Sequence, residues 1–362
     1  MQENDMFYMQ KAVELAKKAT GHTSPNPLVG CVIVKDGQII SMGFHKRAGW
    51  LHAEAEALKK IRYEAKGATL YVNIEPCDHF GKTPPCTDKI IKYGIKRVIA
   101  AMKDPNPIVN GKGIAKLRKH GIKVDVGLMQ KEAQDLNKIF IKNQVKREPY
   151  IILKAGISID GKIALADGSS KWITGEQSRL HDQLLRKQAD AILVGINTIK
   201  KDNPFLDCRI DSEKKIKKIV LDTHGRISPD ANIFRYSVPS DIYIITSSMH
   251  KTKAKMLEKK GVNIILSGTK RINEDFIVNS LWEKGIRSIL IEGGSKVHTS
   301  FLKARYADEA YIYIANKIIG NDGIPFVGPM ATKSLNRTIK IEDCETLKIG
   351  CDILIHGKFK YV

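Results

Sequence analysis

Short apolar segments alternate with helical segments along this chain, and that alternation limits its fold more than any other feature of the sequence. In the first half, residues 28–34 and 68–74 are apolar strands, whereas residues 6–20 and 52–61 show helical patterns. Strands that alternate with helices bury their apolar faces as helices packed on a sheet. The sequence therefore predicts a layered α/β fold.

A second α/β unit is predicted to begin near residue 148. Residues 150–158 favour a strand and residues 176–188 a helix. A chain of 362 residues is also long enough for two domains. We therefore expect one domain at residues 1–147 and another at residues 148–362. Further strands are predicted at residues 190–194, 216–222, 241–246, 288–291, 310–315 and 352–359.

The composition is that of an ordinary globular protein, with 43% hydrophobic and 27% charged residues. The first ten residues lack the basic start and apolar run of a secretory signal, and no apolar stretch is long enough to cross a bilayer. Six cysteines in a chain of this length favour metal binding or burial over disulfides. We therefore expect a cytoplasmic protein without a membrane partner.

The net charge is strongly positive. Sixty Lys and Arg residues against 39 Asp and Glu residues give +21. A field of that sign attracts anions, which include nucleic acid and phosphorylated metabolites. Basic residues occur in both halves without one dense tract, so a generally lysine-rich composition explains the charge equally well. The charge alone does not identify a partner.

One set of residues has the pattern of a catalytic zinc site. His52 and Cys86 each stand where a helix should begin, and Cys77 follows the end of a strand. Zinc binds imidazole nitrogen and thiolate sulfur, and a catalytic site keeps a fourth position for water. The partial positive charge of a helix N-terminus helps to keep a thiol ionised. These three side chains are therefore predicted to share one Zn²⁺ ion.

Glu54 is the informative residue that does not bind the metal. It lies two residues after His52, so its carboxylate can reach a water molecule activated by the metal. The order His-x-Glu and then Pro-Cys-x-x-Cys is the signature of zinc nucleobase deaminases. Here eight residues separate Cys77 from Cys86 instead of two. Each residue taken singly also fits a structural position, and a closed structural zinc is the alternative for the set.

Longer motifs around these residues resemble the bifunctional riboflavin-biosynthesis deaminase/reductase family. They are SPNPLVG at residues 24–30, EPCDHFGKTPPC at residues 75–86 and DPNP at residues 104–107. The enlarged cysteine loop, with its HxGxTPPC pattern, is typical of this branch of the cytidine-deaminase superfamily. The resemblance implies a cytidine-deaminase-like three-layer α/β/α domain at the N-terminus.

The same resemblance assigns roles to residues of the first half. It implies that His52, Cys77 and Cys86 bind Zn²⁺ and that Glu54 is the catalytic proton shuttle. From the residues alone, a His or Lys in a loop is more often a solvated side chain than a substrate contact. The implied substrate contacts are Asn26, His45, His79 and Lys82.

The second half contains no GxGxxG motif after a strand, so a Rossmann dinucleotide site is not indicated. The turn Glu292-Gly293-Gly294 follows one predicted strand and precedes a helix. Glycines at such a junction let backbone amides approach a phosphate at the helix N-terminus. The same turn also occurs as a purely structural connection.

Motifs in this half resemble the reductase domain of the same family. They are KAGISIDG at residues 154–161, SKWIT at residues 170–174, GINT at residues 195–198 and DNP at residues 202–204. The resemblance implies a dihydrofolate-reductase-like α/β domain that uses NADPH. The implied cofactor contacts are Gly156, Trp172, Thr198, Asp202, Thr223 and Gly294. The implied substrate contacts are Ser170, Arg186, Leu206, Arg209 and Glu292.

Two of these residues have a chemical reason of their own. The guanidinium groups of Arg186 and Arg209 suit a phosphate, because guanidinium binds phosphate through two parallel hydrogen bonds. Without the resemblance, a solvated position on a charged helix fits Arg186 and a packed core aromatic fits Trp172.

The resemblance implies two reactions on one small molecule. The first domain would deaminate 2,5-diamino-6-(ribosylamino)-4(3H)-pyrimidinone 5′-phosphate, and the second would reduce the ribosyl group to ribityl with a hydride from NADPH. Lys154 and Asp202 are candidates for assisting protonation in the second step. The positive charge would attract the phosphate groups of the substrate and the cofactor, so it does not require nucleic acid as a partner. We also expect a homo-oligomer.

Two other functions fit parts of the sequence. A nucleic-acid-editing zinc deaminase with a basic accessory domain would explain the zinc residues and the charge, but not the reductase motifs. Its polynucleotide binding should fall steeply with salt. A structural zinc module on a binding protein would explain the ligands but leaves Glu54 without a function. In that case Glu54→Gln should leave function intact.

Overall fold

The computed structural model describes residues 3–61, 65–80, 84–107 and 109–362. The chain divides between Arg147 and Glu148 into two compact units. Within the described ranges, no helix combines the length and the apolar character that crossing a bilayer requires.

The first unit contains a five-stranded sheet in the order β2-β1-β3-β4-β5. β1 pairs antiparallel with both β2 and β3, whereas β3, β4 and β5 run parallel. Its strands are β1 (Gly30–Lys35), β2 (Gln38–Phe44), β3 (Thr69–Val72), β4 (Arg97–Ala100) and β5 (Lys123–Val126). Its helices are α1 (Glu3–Lys17), α2 (Ala53–Lys59), α3 (Cys86–Lys92), α4 (Lys112–Lys119), α5 (Gln130–Leu136) and α6 (Lys138–Lys146).

Two glycines show that helices cover both faces of this sheet. A Cβ atom on Gly30 would lie 2.0 Å from the carbonyl oxygen of Ala12 in α1, and one on Gly43 would lie 2.4 Å from that of Ala53 in α2. Gly43 is paired with Cys31, the neighbour of Gly30, so the two glycines face opposite sides of the sheet. α1 and α2 therefore form the outer layers of a three-layer α/β/α unit.

The second unit is built on a nine-stranded sheet in the order β11-β10-β9-β8-β12-β6-β13-β16-β15. The strands from β11 to β13 are parallel, and β16 and β15 add an antiparallel edge. The strands are β6 (Tyr150–Ser158), β8 (Ala191–Gly195), β9 (Lys217–Leu221), β10 (Ile242–Thr246), β11 (Asn263–Leu266), β12 (Ser288–Ile291), β13 (Glu309–Ala315), β15 (Lys340–Ile349) and β16 (Asp352–Lys360). A separate pair is formed by β7 (Lys162–Ala164) and β14 (Ile324–Pro325), and the α-helices are α7 (Glu176–Gln188), α8 (Ile196–Asp202), α9 (Lys251–Lys259), α10 (Glu274–Glu283) and α11 (Ser295–Lys303).

The layered α/β fold predicted from the sequence is confirmed in both units. Several features differ from the prediction, which also lacks the strands β7, β11 and β14. α1 ends at Lys17 rather than residue 20, because the chain turns toward Gly21, which has a left-handed φ of 87°. The patterns do not predict α8, which starts directly after β8. They also miss β15, whose side chains are almost all exposed, so it lacks an apolar signal.

Candidate functional site

The three zinc-site residues lie at the ends of elements in the first unit. His52 is the N-cap residue of α2, and Cys86 is the first residue of α3. Cys77 lies in the segment that follows β3, at the carboxyl end of the strand. Two helix N-termini and one strand end therefore bring together residues that lie up to 34 positions apart in the sequence.

The distances between these side chains suit one metal ion. The Nδ1 atom of His52 lies 3.4 Å from the Sγ atom of Cys77 and 3.4 Å from that of Cys86. All three donor atoms lie within 4.8 Å of one another. One nitrogen and two sulfur donors are a typical set for zinc, and three protein ligands are the number found in catalytic sites. The residues present therefore fit a zinc ion with an open coordination position.

The pKa values of the Cys77 and Cys86 thiols shift in opposite directions. A hydrogen bond between them and the contact with His52 together outweigh burial and lower the pKa of Cys77 to about 4. The same hydrogen bond raises the pKa of Cys86 well above its usual value. One thiolate therefore forms readily at neutral pH, and a bound cation would be needed to hold both thiols ionised.

Glu54 is buried beside this cluster, with 3% of its surface exposed. Burial raises the pKa of its carboxyl group, and the charge of Cys77 raises it as well, while that of His52 lowers it. A carboxyl group with a raised pKa can take up and release a proton nearer to neutral pH. Its surroundings therefore suit a general acid–base residue.

Asn26 and His45 lie against the zinc-site cluster. The Asn26 amide donates from Nδ2 to Nε2 of His45 at 3.1 Å, which assigns the His45 proton to Nδ1, where it donates to the carbonyl oxygen of Leu51 at 3.0 Å. The rings of His45 and His52 meet edge to face at 5.6 Å. Asn26 thus keeps its Oδ1 atom as an acceptor near the cluster.

Of the other two predicted substrate contacts of this unit, His79 and Lys82, the structure describes only His79, which it does not place against the cluster. His79 is exposed in the segment after Cys77. Lys82 lies outside the described residues. The structure therefore brings Asn26 and His45 to the cluster.

Residues that the sequence analysis did not single out hold the cysteine segment in place. The Glu75 carboxylate accepts backbone N–H groups from Asp104 at 3.2 Å, Gly111 at 2.9 Å and Ile114 at 3.2 Å. Nearby, Lys116 bridges Asp78 and Asp88 at 2.6 Å each. The only sequence signal for Glu75 was its place in the motif next to Pro76 and Cys77.

In the second unit, most of the predicted cofactor contacts gather at one edge of the sheet. Strands β9, β8, β12 and β6 are neighbours and run parallel, so their carboxyl ends lie at the same edge. Thr223 follows β9, Thr198 lies in α8 directly after β8, and Gly156 lies near the end of β6. Gly294 is the N-cap residue of α11, and a Cβ atom there would meet nothing within 4 Å. This edge of an open α/β sheet is where ligands generally bind.

The segment that contains Trp172 lies beside β6. A Cβ atom on Gly156 would lie 2.9 Å from Cγ2 of Thr174, so any larger residue there would displace the Thr174 side chain. The Trp172 ring is 62% exposed, with the guanidinium carbon of Arg179 at 4.4 Å from its centre. Trp172 is therefore not a core aromatic. Ser170 is half-buried at the start of this segment, and Asp202 is half-buried at the end of α8.

A buried ionic cluster joins two of the predicted substrate residues. Arg186 donates from Nε and Nη2 to the two carboxylate oxygens of Glu292, at 2.8 Å each. Asp182 lies 3.5 Å from Nζ of Lys154 and 3.6 Å from Nε of Arg186. Although burial opposes it, the charge of Arg186 lowers the pKa of Glu292. In the structure Arg186 thus pairs with Glu292, and contact with a phosphate stays a prediction for it.

The remaining predicted substrate residues lie in the segment after α8. Leu206 is buried with a left-handed φ of 60°, and Arg209 is exposed. Although burial opposes them, the charges of Arg186 and Lys154, and to a smaller extent that of Arg209, lower the pKa of Glu292. An exposed guanidinium beside a buried ionic cluster is available to an anionic ligand.

Family models match both units. Residues 2–102 match the zinc-binding region of cytidine and deoxycytidylate deaminases, and residues 149–355 match the RibD C-terminal domain. The riboflavin biosynthesis protein RibD of Aquifex aeolicus is 43% identical over 359 residues, which cover 99% of this chain and 99% of that protein. RibD of Escherichia coli is 38% identical, with 97% of this chain and 98% of that protein covered.

Solved structures give the same match over the whole length. RibD of Acinetobacter baumannii superposes with a TM-score of 0.90 at 34% identity, covering 99% of each chain. A diaminohydroxyphosphoribosylaminopyrimidine deaminase/5-amino-6-(5-phosphoribosylamino)uracil reductase from Thermotoga maritima superposes with a TM-score of 0.85 at 36% identity, again covering 99% of each chain.

Proposed function

This chain belongs to the RibD family of riboflavin biosynthesis proteins, and from that membership we propose its substrates and the residues that act on them. It is a bifunctional deaminase and reductase. The proposed substrate of the deaminase is 2,5-diamino-6-(ribosylamino)-4(3H)-pyrimidinone 5′-phosphate. The proposed substrate of the reductase is the deaminated product, whose ribosyl group becomes ribityl. The observation that carries the proposal is the approach of His52, Cys77 and Cys86 to within 4.8 Å of one another beside the buried Glu54.

Deamination is assigned to residues 1–147. His52, Cys77 and Cys86 would hold a zinc ion, which would lower the pKa of a water molecule at the open coordination position toward neutrality. Glu54 takes a proton from the attacking water and delivers it to the amino group that leaves as ammonia. The Oδ1 atom of Asn26 accepts a hydrogen bond from the pyrimidine ring. His79 and Lys82 are proposed to hold the substrate from the cysteine loop.

Reduction is assigned to residues 148–362, with NADPH as the source of the hydride that reaches C1′ of the sugar. The proposed substrate contacts are Ser170, Arg186, Leu206, Arg209 and Glu292. Their support is the ionic cluster around Glu292 and the exposed guanidinium of Arg209. The proposed cofactor contacts are Gly156, Trp172, Thr198, Asp202, Thr223 and Gly294.

The partner of this enzyme is a small molecule, and the phosphates of substrate and cofactor suit its positive charge. A cytoplasmic location agrees with the six cysteines, all of which are free thiols. A homo-oligomeric state stays a prediction, which sedimentation of the purified chain would test.

A coupled assay on the purified chain tests the proposed function. The diaminopyrimidine nucleotide is added first without NADPH, and released ammonia is measured. NADPH is then added, and loss of the nicotinamide absorbance is recorded. The proposal expects ammonia in the first phase and NADPH oxidation in the second. Ammonia release that requires NADPH, or NADPH oxidation without prior deamination, would contradict it.

A further inference from the structure

Lys218 is a lysine in the interior of the second unit. It lies on β9 and only 2% of its surface is exposed. Lysine is almost never this deeply buried unless it is paired, because burial of an unpaired ammonium is very costly. Lys218 donates from Nζ to Oδ1 of Asp207 at 2.5 Å and to the hydroxyl oxygen of Ser237 at 2.6 Å. The buried ammonium group of Lys218 thus fixes the side chain of Asp207, which lies in the segment after α8.

That segment, residues 206–209, is held at two further points. The carbonyl oxygen of Asp207 accepts a hydrogen bond from Nη1 of Arg186 at 3.0 Å, and the backbone N–H of Arg209 donates to Oε1 of Gln183 at 2.9 Å. Leu206 takes the left-handed backbone conformation, with φ at 60°. Side chains beneath the segment therefore impose its path, and the direction of Arg209 depends on them.

We propose that Lys218 is a positioning residue for the reductase substrate, because it anchors through Asp207 the segment that directs Arg209 at the substrate's 5′-phosphate. This inference rests on the proposed function, in which Leu206 and Arg209 contact the phosphorylated substrate. Lys218 does not touch the substrate. Its effect should therefore fall mainly on the contribution that the phosphate makes to binding.

A merely structural lysine would have a different signature. If Lys218 only stabilised the unit, its loss would reduce activity on every substrate alike. A positioning residue changes the discrimination between a substrate with the phosphate and one without it. The informative readout is thus the ratio of kcat/KM for the deaminated nucleotide to kcat/KM for its dephosphorylated nucleoside.

The experiment compares the full-length wild-type enzyme with Lys218→Met, Arg209→Ala and the double variant. A misplacement of about 1 Å can cost about 100-fold in rate, so we expect Lys218→Met to lower kcat/KM for the nucleotide about tenfold or more, mainly through KM. The value for the nucleoside should change less than about twofold, since that substrate makes no phosphate contact. The double variant should be no worse on the nucleotide than Arg209→Ala alone, because both changes remove the same interaction.

Two further variants guard against a folding defect. Lys218→Arg keeps the buried cation and should retain most of the phosphate preference. Asp207→Asn keeps the backbone carbonyl that binds Arg186 but breaks the ion pair, so it should lose that preference as Lys218→Met does. Lys358→Met is the matched control for charge, because it removes a cation paired with Asp343 in the β15–β16 hairpin. Ammonia release by each variant reports that the first unit is intact.

The outcomes separate this inference from the proposed function. If Arg209→Ala leaves KM for the nucleotide unchanged, the phosphate is not at Arg209, and both the assignment and this inference are wrong. If Arg209→Ala raises that KM but Lys218→Met and Asp207→Asn lower activity on nucleotide and nucleoside equally, only the inference is wrong. Multiplicative losses in the double variant would overturn it as well.

Discussion

Glu54 and Glu56 lie on the same short helix, yet their surroundings differ. Glu54 is buried next to the thiols of Cys77 and Cys86, and burial raises the pKa of its carboxyl group. Glu56 accepts a hydrogen bond from the backbone N–H of Phe44 at 3.0 Å and pairs with Lys46 at 2.8 Å. Only Glu54 is therefore placed to exchange a proton at the proposed zinc site.

This contrast gives the first prediction. Glu54→Gln should lower ammonia release by about 10²- to 10⁴-fold, the usual contribution of general acid–base catalysis. The zinc content should stay unchanged, because glutamine fits the same space and Glu54 is not one of the three proposed ligands. NADPH oxidation on supplied deaminated nucleotide should also stay unchanged. Glu56→Gln, which removes the same charge two positions further along α2, should retain ammonia release. An active Glu54→Gln enzyme would show that another group moves the proton.

Among the elements, the segment after β3 is shaped by the Glu75 carboxylate. It binds three backbone N–H groups between residues 104 and 114, and these tie the start of α4 to the segment that contains Cys77. A Cβ atom on Gly113 would lie 2.1 Å from the carbonyl oxygen of Pro76, so the two segments pack without spare room. The position of one proposed zinc ligand thus depends on a residue outside the metal cluster.

The second prediction follows from this arrangement. Glu75→Ala leaves three backbone donors without their acceptor, so it should lower the free energy of unfolding of the first unit by about 3 kcal/mol. Trp50 lies in this unit, so its fluorescence reports on it in a Trp172→Phe/Trp282→Phe background. The urea midpoint should fall for Glu75→Ala and not for Glu132→Gln, which changes an exposed residue of α5. An unchanged midpoint for Glu75→Ala would mean that solvent replaces the carboxylate.

A second element, α11, contains the buried residue His298. It is 1% exposed, and its ring lies 5.0 Å from that of Phe326. Burial lowers the pKa of His298 to about 4, below its ordinary value of 6.5. The unfolded chain therefore binds a proton that the folded chain excludes between those two values, and stability falls as the pH drops through that range.

The third prediction is a pH dependence that His298 causes. Between pH 7 and pH 5, burial of the neutral ring should remove about 2 kcal/mol from the free energy of unfolding of the second unit. His298→Leu cannot take up a proton, so its stability should fall less over the same interval. In a Trp50→Phe background the fluorescence of Trp172 and Trp282 reports on this unit alone. Equal pH slopes in the two proteins would show that His298 is not buried as a neutral ring.

Across the whole molecule, sequence patterns predicted most of the elements with a strong apolar signal, but they missed the short apolar strand β11 as well as β15. The strand Tyr150–Ser158 and the helix Glu176–Gln188 have the predicted bounds, because their apolar residues recur at the spacing of the element. β15 was missed because it is an exposed edge strand with charged residues on both faces. Apolar spacing carries no information on such a strand.

For the candidate site, motifs predicted which residues belong to the site, but not which ion pairs form between residues far apart in the sequence. The order His-x-Glu and Pro-Cys predicted which side chains would meet, and the structure brings His52, Cys77 and Cys86 together. The pairing of Arg186 with Glu292 joins residues 106 positions apart, and no local pattern encodes that contact. The contact of Lys218 with Asp207 is equally invisible, since a lysine at the start of a strand is usually solvated.

The two units have separate hydrophobic cores. Among the residues that the structure describes, one cluster of buried side chains lies in the first unit, and three further clusters lie in the second. Loss of the proposed metal should therefore abolish deamination and leave reduction in place.

The zinc content of the purified chain tests the central claim most directly, and Cys86→Ser supplies the comparison. Wild-type protein and the control Cys344→Ser, which changes an exposed cysteine of β15, should each contain about one zinc ion per chain by elemental analysis. Cys86→Ser should contain almost none and release no ammonia, yet oxidise NADPH on the deaminated nucleotide at the wild-type rate. Metal-free wild-type protein that still releases ammonia, or Cys86→Ser with a full zinc complement, would contradict the account.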